Sequence, residues 1–157
     1  MSMVDYYASP GYMIRRCYQI VQGIFQDATA DAPIAPTQLG VLKAVVEFPG
    51  RDQATIARAL GIDRSTMGTN IDRLEQLGFL TRYPATHDKR VKLLAITPAG
   101  VAAIAAIKER ISAVGQRFLA PLDDAEQVAF VAMLQRIIEA NNDYGRAHQR
   151  ALDDFAA

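Results

Sequence analysis

Residues Asp63–Thr97, DRSTMGTNIDRLEQLGFLTRYPATHDKRVKLLAIT, decide the reading of this chain. Met67, Ile71 and Leu74 recur at helical spacing behind Asp63, which suits an N-cap, and Gly78 closes the helix. Phe79–Tyr83 and Val91–Ile96 favour strand by composition, and the Pro84–Arg90 link between them is longer than a tight turn, so it should project. The helix carries short polar side chains able to approach base edges, Ser65, Thr66, Thr69 and Asn70, with Arg64 and Arg73 at either end. The ribbon's tip, with His87, Asp88, Lys89 and Arg90, places cations where a phosphate backbone could be gripped.

Upstream, Asp52 is placed to cap a helix over Gln53–Leu60, in which Ile56, Ala57 and Leu60 pack, and Gly61 permits the left-handed turn that ends it. Two short helices joined through a glycine turn are the elements of a helix-turn-helix. Before them the pattern predicts a helix over Thr37–Phe48, with Leu39, Leu42, Val45 and Val46 inward. An earlier one over Tyr12–Ala28 has Ile14, Cys17, Val21, Ile24 and Phe25 inward, and the two prolines of Asp31–Pro36 separate the pair. The opening MSMVDYYAS is either an arm or a short helical preface.

Downstream, Thr97-Pro98 supplies an N-cap and a first-turn proline for a long helix over Ala99–Leu119. Asp123–Glu126 resembles a capping box, opening a last helix with Val128, Val131, Leu134, Ile137 and Ile138 on its apolar face and continuing toward Tyr144. The final residues from Gly145 are polar and carry no clear period. The expected architecture is mainly α with a small β-ribbon, about six helices and a two- to three-stranded wing sheet. A winged helix-turn-helix spans residues 35–97, and residues 1–34 and 98–157 form a helical dimerisation region. The apolar stripe of Ala99–Leu119 is too wide for a compact three-helix domain to cover, which predicts a homodimer.

Seventeen cations balance seventeen acids over 157 residues, so the whole-chain charge does not announce nucleic acid. The distribution does more: residues 51–92 hold eight Lys/Arg against five acids, net +3, while the flanks are −1 and −2. One cysteine excludes an internal disulfide and the multi-cysteine zinc motifs. No N-terminal signal and no membrane-length apolar run is present, so a cytoplasmic protein is expected. Enzyme readings find no support. His87 and His148 lie in separate segments, Ser65 sits in RSTMG rather than a GxSxG elbow, and glycines never gather into a phosphate-cradling loop. Neither catalytic residues, metal ligands nor a cofactor are expected.

Taken together, PTQLGVLKAV, QATIARALGIDRSTMGTNIDRLEQLGFLTR and HDKRVKLLAITPAG resemble, in order, the motifs of the MarR family of winged-helix regulators. Asp88 and Arg90 match its wing D-x-R, and Leu94–Gly100 matches its L-x-L-T-x-x-G ending, with Ala95 between Leu94 and Ile96. The resemblance covers about residues 10–142. It implies a dimer, held by the first, fifth and sixth predicted helices, reading successive major grooves of a pseudo-palindromic operator. Arg64, Ser65, Thr66, Thr69, Asn70 and Arg73 would then lie at the major groove. Arg90, supported by Lys89 and His87, would enter the adjacent minor groove, where narrow A·T-rich sequence concentrates negative potential.

Family members commonly hold a small phenolic or aromatic acid between the dimerisation helices and the winged domain, most often as the signal that releases a repressor. Here the candidates are Arg16, with Arg15, Tyr7, Met13 and Cys17, where an Arg would pair with a carboxylate against aromatic and Met side chains. Adjacent helix positions point about 100° apart, so Arg15 and Arg16 would not both serve one ligand. Two alternatives are a redox-sensing regulator working through Cys17 and a helical interaction module that binds no DNA. The cationic ribbon argues against the second.

Overall fold

The computed structural model describes residues 2–86 and 88–145; the expectations for His87 and for residues 146–157 fall outside them. Among the described residues the α-helices are α1 (Met3–Tyr7), α2 (Pro10–Ala28), α3 (Pro36–Glu47), α4 (Gln53–Leu60), α5 (Arg64–Gln76), α6 (Pro98–Leu119) and α7 (Asp124–Asn141). An antiparallel ribbon of β1 (Leu80–Pro84) and β2 (Lys92–Ile96) stands between α5 and α6, and a 3₁₀ turn, Asn142–Tyr144, follows α7.

Local chemistry sets the helix limits. Ser9 caps α2, its hydroxyl taking the Tyr12 N–H at 3.4 Å, and Pro10 fills the first turn, so α2 starts two residues earlier than predicted. The MSMVDYYAS preface is helical, with a capping box between Ser2 and Asp5. Asp63 accepts the Thr66 N–H at 3.0 Å, and Asp123 and Glu126 form the predicted box at the head of α7. Gly61 and Gly78 take left-handed φ values of 62° and 72°, which lets Ile62 donate to Ala57 O and Phe79 to Leu74 O, both at 2.9 Å. Only the small turn Gly61–Asp63 separates α4 from α5.

The core lies where α3, α4, α5 and the ribbon meet. Leu42, Ile56, Met67, Ile71, Leu74 and Leu94 are fully buried there, each stabilising the fold by about 1.5–3 kcal/mol. Phe25 of α2 and Ile107 and Val114 of α6 extend the same cluster; α2 runs along α6 with the ion pair Asp27–Arg117 (3.1 Å), and Asp31, just beyond α2, pairs with Arg110. Two residues predicted inward face out: Ile14 and Val46 are each about half exposed. Leu39, Val41, Leu42, Ala44 and Val45 already fill the buried arc of α3, and of α2 only Phe25, near its C-terminal end, is fully buried.

In the ribbon, Leu80 pairs with Ile96, Arg82 with Leu94 and Pro84 with Lys92. Phe79 stays outside β1 because its N–H closes α5 and its carbonyl accepts from Thr97 N at 3.0 Å. The expected third strand is reduced to a bridge between Asp52 and Leu93. No helix among the described residues is long and apolar enough to cross a membrane.

Two residues give measurable consequences. A Cβ on Gly100, in the first turn of α6, would lie 2.2 Å from Phe79 O and 2.8 Å from an Ile96 side-chain carbon. Gly100→Ala should therefore cost about 1–3 kcal/mol in urea unfolding, because backbone must move to admit one methyl. Asp52 accepts the N–H groups of Ala54 and Thr55 at 2.8 and 2.9 Å and the Thr55 hydroxyl at 2.9 Å. Burial opposes its charge, yet the Thr55 and Ala54 hydrogen bonds and the nearby Arg58 hold its carboxyl below the usual 3.8. A lowered folded-state value contributes stability above the unfolded value that is lost as pH falls through the folded one. Asp52→Ala should cost about 1 kcal/mol near neutrality, and the difference from wild type should shrink as unfolding is repeated at pH values falling below the usual carboxylate range.

Candidate nucleic-acid interface

Three buried side chains at i, i+4 and i+7, Met67, Ile71 and Leu74, turn one face of α5 inward. They leave Arg64, Ser65, Thr66, Thr69, Asp72 and Arg73 exposed and Asn70 half-buried. The short polar side chains rest on local partners. Thr66 Oγ1 donates to Asp63 Oδ2 at 2.7 Å, Thr69 Oγ1 to Ser65 O at 3.2 Å and Asn70 Nδ2 to Thr66 O at 2.8 Å. Each keeps acceptor capacity, and Asn70 keeps a second N–H, so the face is held in place and still able to pair with a base edge. Arg64 occupies the first helical position, where the macrodipole disfavours a cation. Helix stability does not explain it there.

Arg73 is exposed and lines a cleft of about 460 Å³ with Gln22, Gln26 and Gln38, between α2 and the start of α3. Among the described residues it has no acid within ion-pair distance; the pairing cation is Arg82 of β1. One Arg82 nitrogen meets Glu75 Oε2 and another Asp72 Oδ1, both at 2.6 Å, while the Arg82 N–H donates to Glu75 Oε1 at 2.9 Å. Two carboxylates of α5 thus grip one residue of the ribbon through both backbone and side chain. Sequence reading missed Arg82 as a fixing point. The available signal was a lone cation in an apolar strand, seven and ten residues beyond two acids on the preceding helix.

At the wing, Ala85 N donates to Val91 O and Val91 N to Asp88 O, both at 3.0 Å, so the tip closes as a compact turn rather than a loose loop. Asp88 accepts from the Arg90 N–H at 2.9 Å and from its guanidinium at 3.2 and 3.3 Å. The Arg90 side chain is 92% exposed. Asp88 orients this cation without burying it. Lys89 is exposed beside it, and His87 lies outside the described residues.

The candidate effector residues lie on an open part of the chain. Arg16 is exposed and donates to Gln19 at 3.3 Å; Arg15 stands 5.1 Å from the centre of the Tyr12 ring, which Tyr7 meets edge-on at 5.1 Å. Met13 is exposed and Cys17 is a half-buried free thiol rather than a fully buried one. None of Tyr7, Met13, Arg15, Arg16 and Cys17 lines either of the cavities beside the α2–α3 linker, the Arg73 cleft and a smaller one of about 220 Å³ against α6.

Comparison with known proteins agrees with this architecture. The sequence profile of the MarR family matches residues 33–91. A candidate transcriptional regulatory protein for the hcr operon of Thauera aromatica is 30% identical over 115 residues, 73% of this chain and 69% of that protein. The PcaV transcriptional regulator of Streptomyces coelicolor, solved with its natural ligand, superposes with a TM-score of 0.82 at 33% identity, covering 89% of this chain and 99% of that one. CouR, a transcriptional repressor solved on a 23-mer DNA duplex, gives 0.79 at 29% identity over 87% and 97% of the two chains. CouR from Rhodococcus jostii bound to p-coumaroyl-CoA gives 0.68 at 26% identity over 81% and 90%. These are regulators and not enzymes, and the chain is a member of the MarR family of winged helix-turn-helix transcriptional regulators.

Proposed function

We propose that this protein is a homodimeric, sequence-specific repressor of the cytoplasm, released from its operator by a small aromatic acid or related phenolic compound. The observation that carries the DNA-reading part is the exposed face of α5. It sets Ser65, Thr66, Thr69 and Asn70 between Arg64 and Arg73, and its other acids are tied to the ribbon through Arg82. In this reading those six residues meet the major groove, and Arg90, with Lys89 and His87, meets the minor groove and its phosphates. Residues 35–97 read DNA, and residues 1–34 and 98–157 serve dimerisation. A local charge excess of only +3 makes one copy a weak binder, and pairing two copies multiplies the phosphate contacts.

The dimer reading is supported by α7, which buries no residue in its own chain and exposes Val128, Val131, Met133, Ile137 and Ile138. Exposed Met13, Ile14, Tyr18 and Ile20 on α2 add to the uncovered apolar surface. A patch of that kind on a water-facing helix marks an interface. The ligand part is supported by PcaV and CouR, one solved with its natural ligand and the other with a phenolic acyl-CoA.

An operator selected from a random duplex pool and followed by fluorescence anisotropy tests the reading. Affinity should fall steeply with salt. Arg73→Ala and Arg90→Ala should each weaken binding by about 1–3 kcal/mol, Arg90→Ala also flattening the salt dependence. Binding by both variants at wild-type strength would sink the helix-and-wing assignment. Replacing both Ile137 and Ile138 by Asp should give a folded monomer in sedimentation velocity that has lost operator binding; a dimer of unchanged affinity would reject α7 as the dimer contact.

A further inference from the structure

Ser65 and Thr69 stand opposite the buried Met67, Ile71 and Leu74 of α5, and at about 100° per residue the helix has two unlike flanks beside them. Asp72 and Glu75 turn to one flank, where Arg82 ties down the wing. Thr66, Asn70 and Arg73 turn to the other. There Arg73 borders the cleft of about 460 Å³ whose walls also hold the amides of Gln22 and Gln26 of α2 and Gln38 of α3. Among the described residues that line it, Arg73 is the one cation and none is an acid. Gln38 Oε1 accepts the Ala35 N–H at 2.9 Å, which keeps both Nε2 hydrogens for another acceptor. Thr29 Oγ1 is spent on Phe25 O at 2.8 Å, and Phe25, Pro33, Ile34 and Pro36 supply apolar wall. One positive charge among neutral amide donors matches a singly charged phosphodiester, whereas a phosphate monoester carries about two negative charges. A helix in the major groove has a sugar-phosphate backbone on either side. The wing serves its own flank, and the cleft lies where the other backbone would pass.

We propose that this cleft seats the sugar-phosphate backbone of the operator strand on the flank of α5 away from the wing. Arg73 pairs with a phosphodiester there, and the Gln22, Gln26 and Gln38 amides donate to its oxygens while the apolar wall faces the deoxyribose. Resting on the DNA-reading assignment above, this seat keeps Arg73 at the major groove and sets it on the groove's rim rather than on a base edge. Gln22 and Gln26 belong to α2, outside residues 35–97, so the DNA footprint extends beyond the winged domain. The reading helix is then held from both sides, by Arg90 of the wing and by the cleft, which fixes its register in the groove.

Fluorescence anisotropy of the full chain on its selected operator and on a scrambled duplex of equal length tests the seat. Gln26→Glu, which puts a carboxylate into the cleft at nearly constant shape, should weaken binding to both by about tenfold or more, the scale of a like charge set against a phosphate. Gln19→Glu, the same charge change on α2 outside the cleft, should leave both unchanged. Arg73→Ala should weaken both by one common factor and lower the salt slope by about one, whereas Thr69→Ala, at a base edge, should weaken the operator alone. Methylphosphonates scanned along both operator strands should find a phosphate whose neutralisation weakens wild type and costs Arg73→Ala nothing more, a result that a misfolded variant does not mimic. Inorganic phosphate should raise the melting temperature of DNA-free wild type and Gln26→Glu equally, as a general salt effect. A larger rise in wild type, with operator affinity unchanged in Gln26→Glu, assigns the cleft to a free phosphate and overturns the backbone seat. So does wild-type DNA binding by Gln26→Glu, the absence of any such phosphate in the scan, or loss of operator preference in Arg73→Ala at unchanged affinity for the scrambled duplex. If the seat fails while Thr69→Ala and Arg90→Ala still weaken operator binding, the DNA-reading assignment stands without it. If neither of them does, that assignment fails too.

Discussion

The peptide at Phe79 is the junction on which the rest of the architecture turns. Its N–H ends α5 on Leu74 O, its carbonyl receives Thr97 N–H, and the Thr97 hydroxyl donates to Gly78 O at 2.6 Å. The same Thr97 side chain caps α6 through Gly100 N–H at 3.1 Å. A helix end, both feet of the ribbon and the start of the long helix are thus fastened within one knot of backbone hydrogen bonds. Gly100 is the residue that lets α6 come close enough, since a side chain there would overlap Phe79 O. These bonds share the Phe79 peptide and the Thr97 side chain, so a shift of either residue disturbs several of them at once.

From that junction the placement of the candidate interface follows. Arg82, two residues into β1, reaches back to Asp72 and Glu75, fixing the ribbon against the outer side of α5. The ribbon that carries the wing's cation is thereby tied to the helix that carries the polar face. Because Arg82 neutralises both carboxylates, α5 presents Arg64 and Arg73 without an uncompensated acid from its own C-terminal half. Placing Arg64 at a helix N-terminus and leaving Arg90 almost wholly exposed are choices that cost stability or gain none. Both become intelligible when a polyanion is the partner.

Much of this was legible in the sequence, because the signals are local. Asp52, Asp63, Thr97 and Asp123 cap helices where their spacing said they would, and Gly61 and Gly78 end them, since capping depends on residues only two to four positions apart. The Asp88–Arg90 contact is just as short, two residues long, and lies within the D-x-R match. Ser9-Pro10 carries the same grammar as Thr97-Pro98 and was passed over, which put the start of α2 too late. Ile14 and Val46 were misplaced because a helical period says which residues share a face and not how much of that face a neighbour covers.

The amino-acid sequence by itself determined the order of elements, the polar face of α5, the cationic turn of the wing and the apolar character of the last helix. Each of these is set by short-range periodicity, capping or composition. Only the tertiary structure decided that Arg82 belongs with Asp72 and Glu75, and that Asp31 meets Arg110 across 79 residues. It likewise decided that Arg73 stands on the wall of a cleft, and that the linker has space on both sides. Such contacts join residues whose separation along the chain carries no periodic signal. Their partners are chosen by how α2 lies along α6 and how the Phe79 junction sets the ribbon against α5.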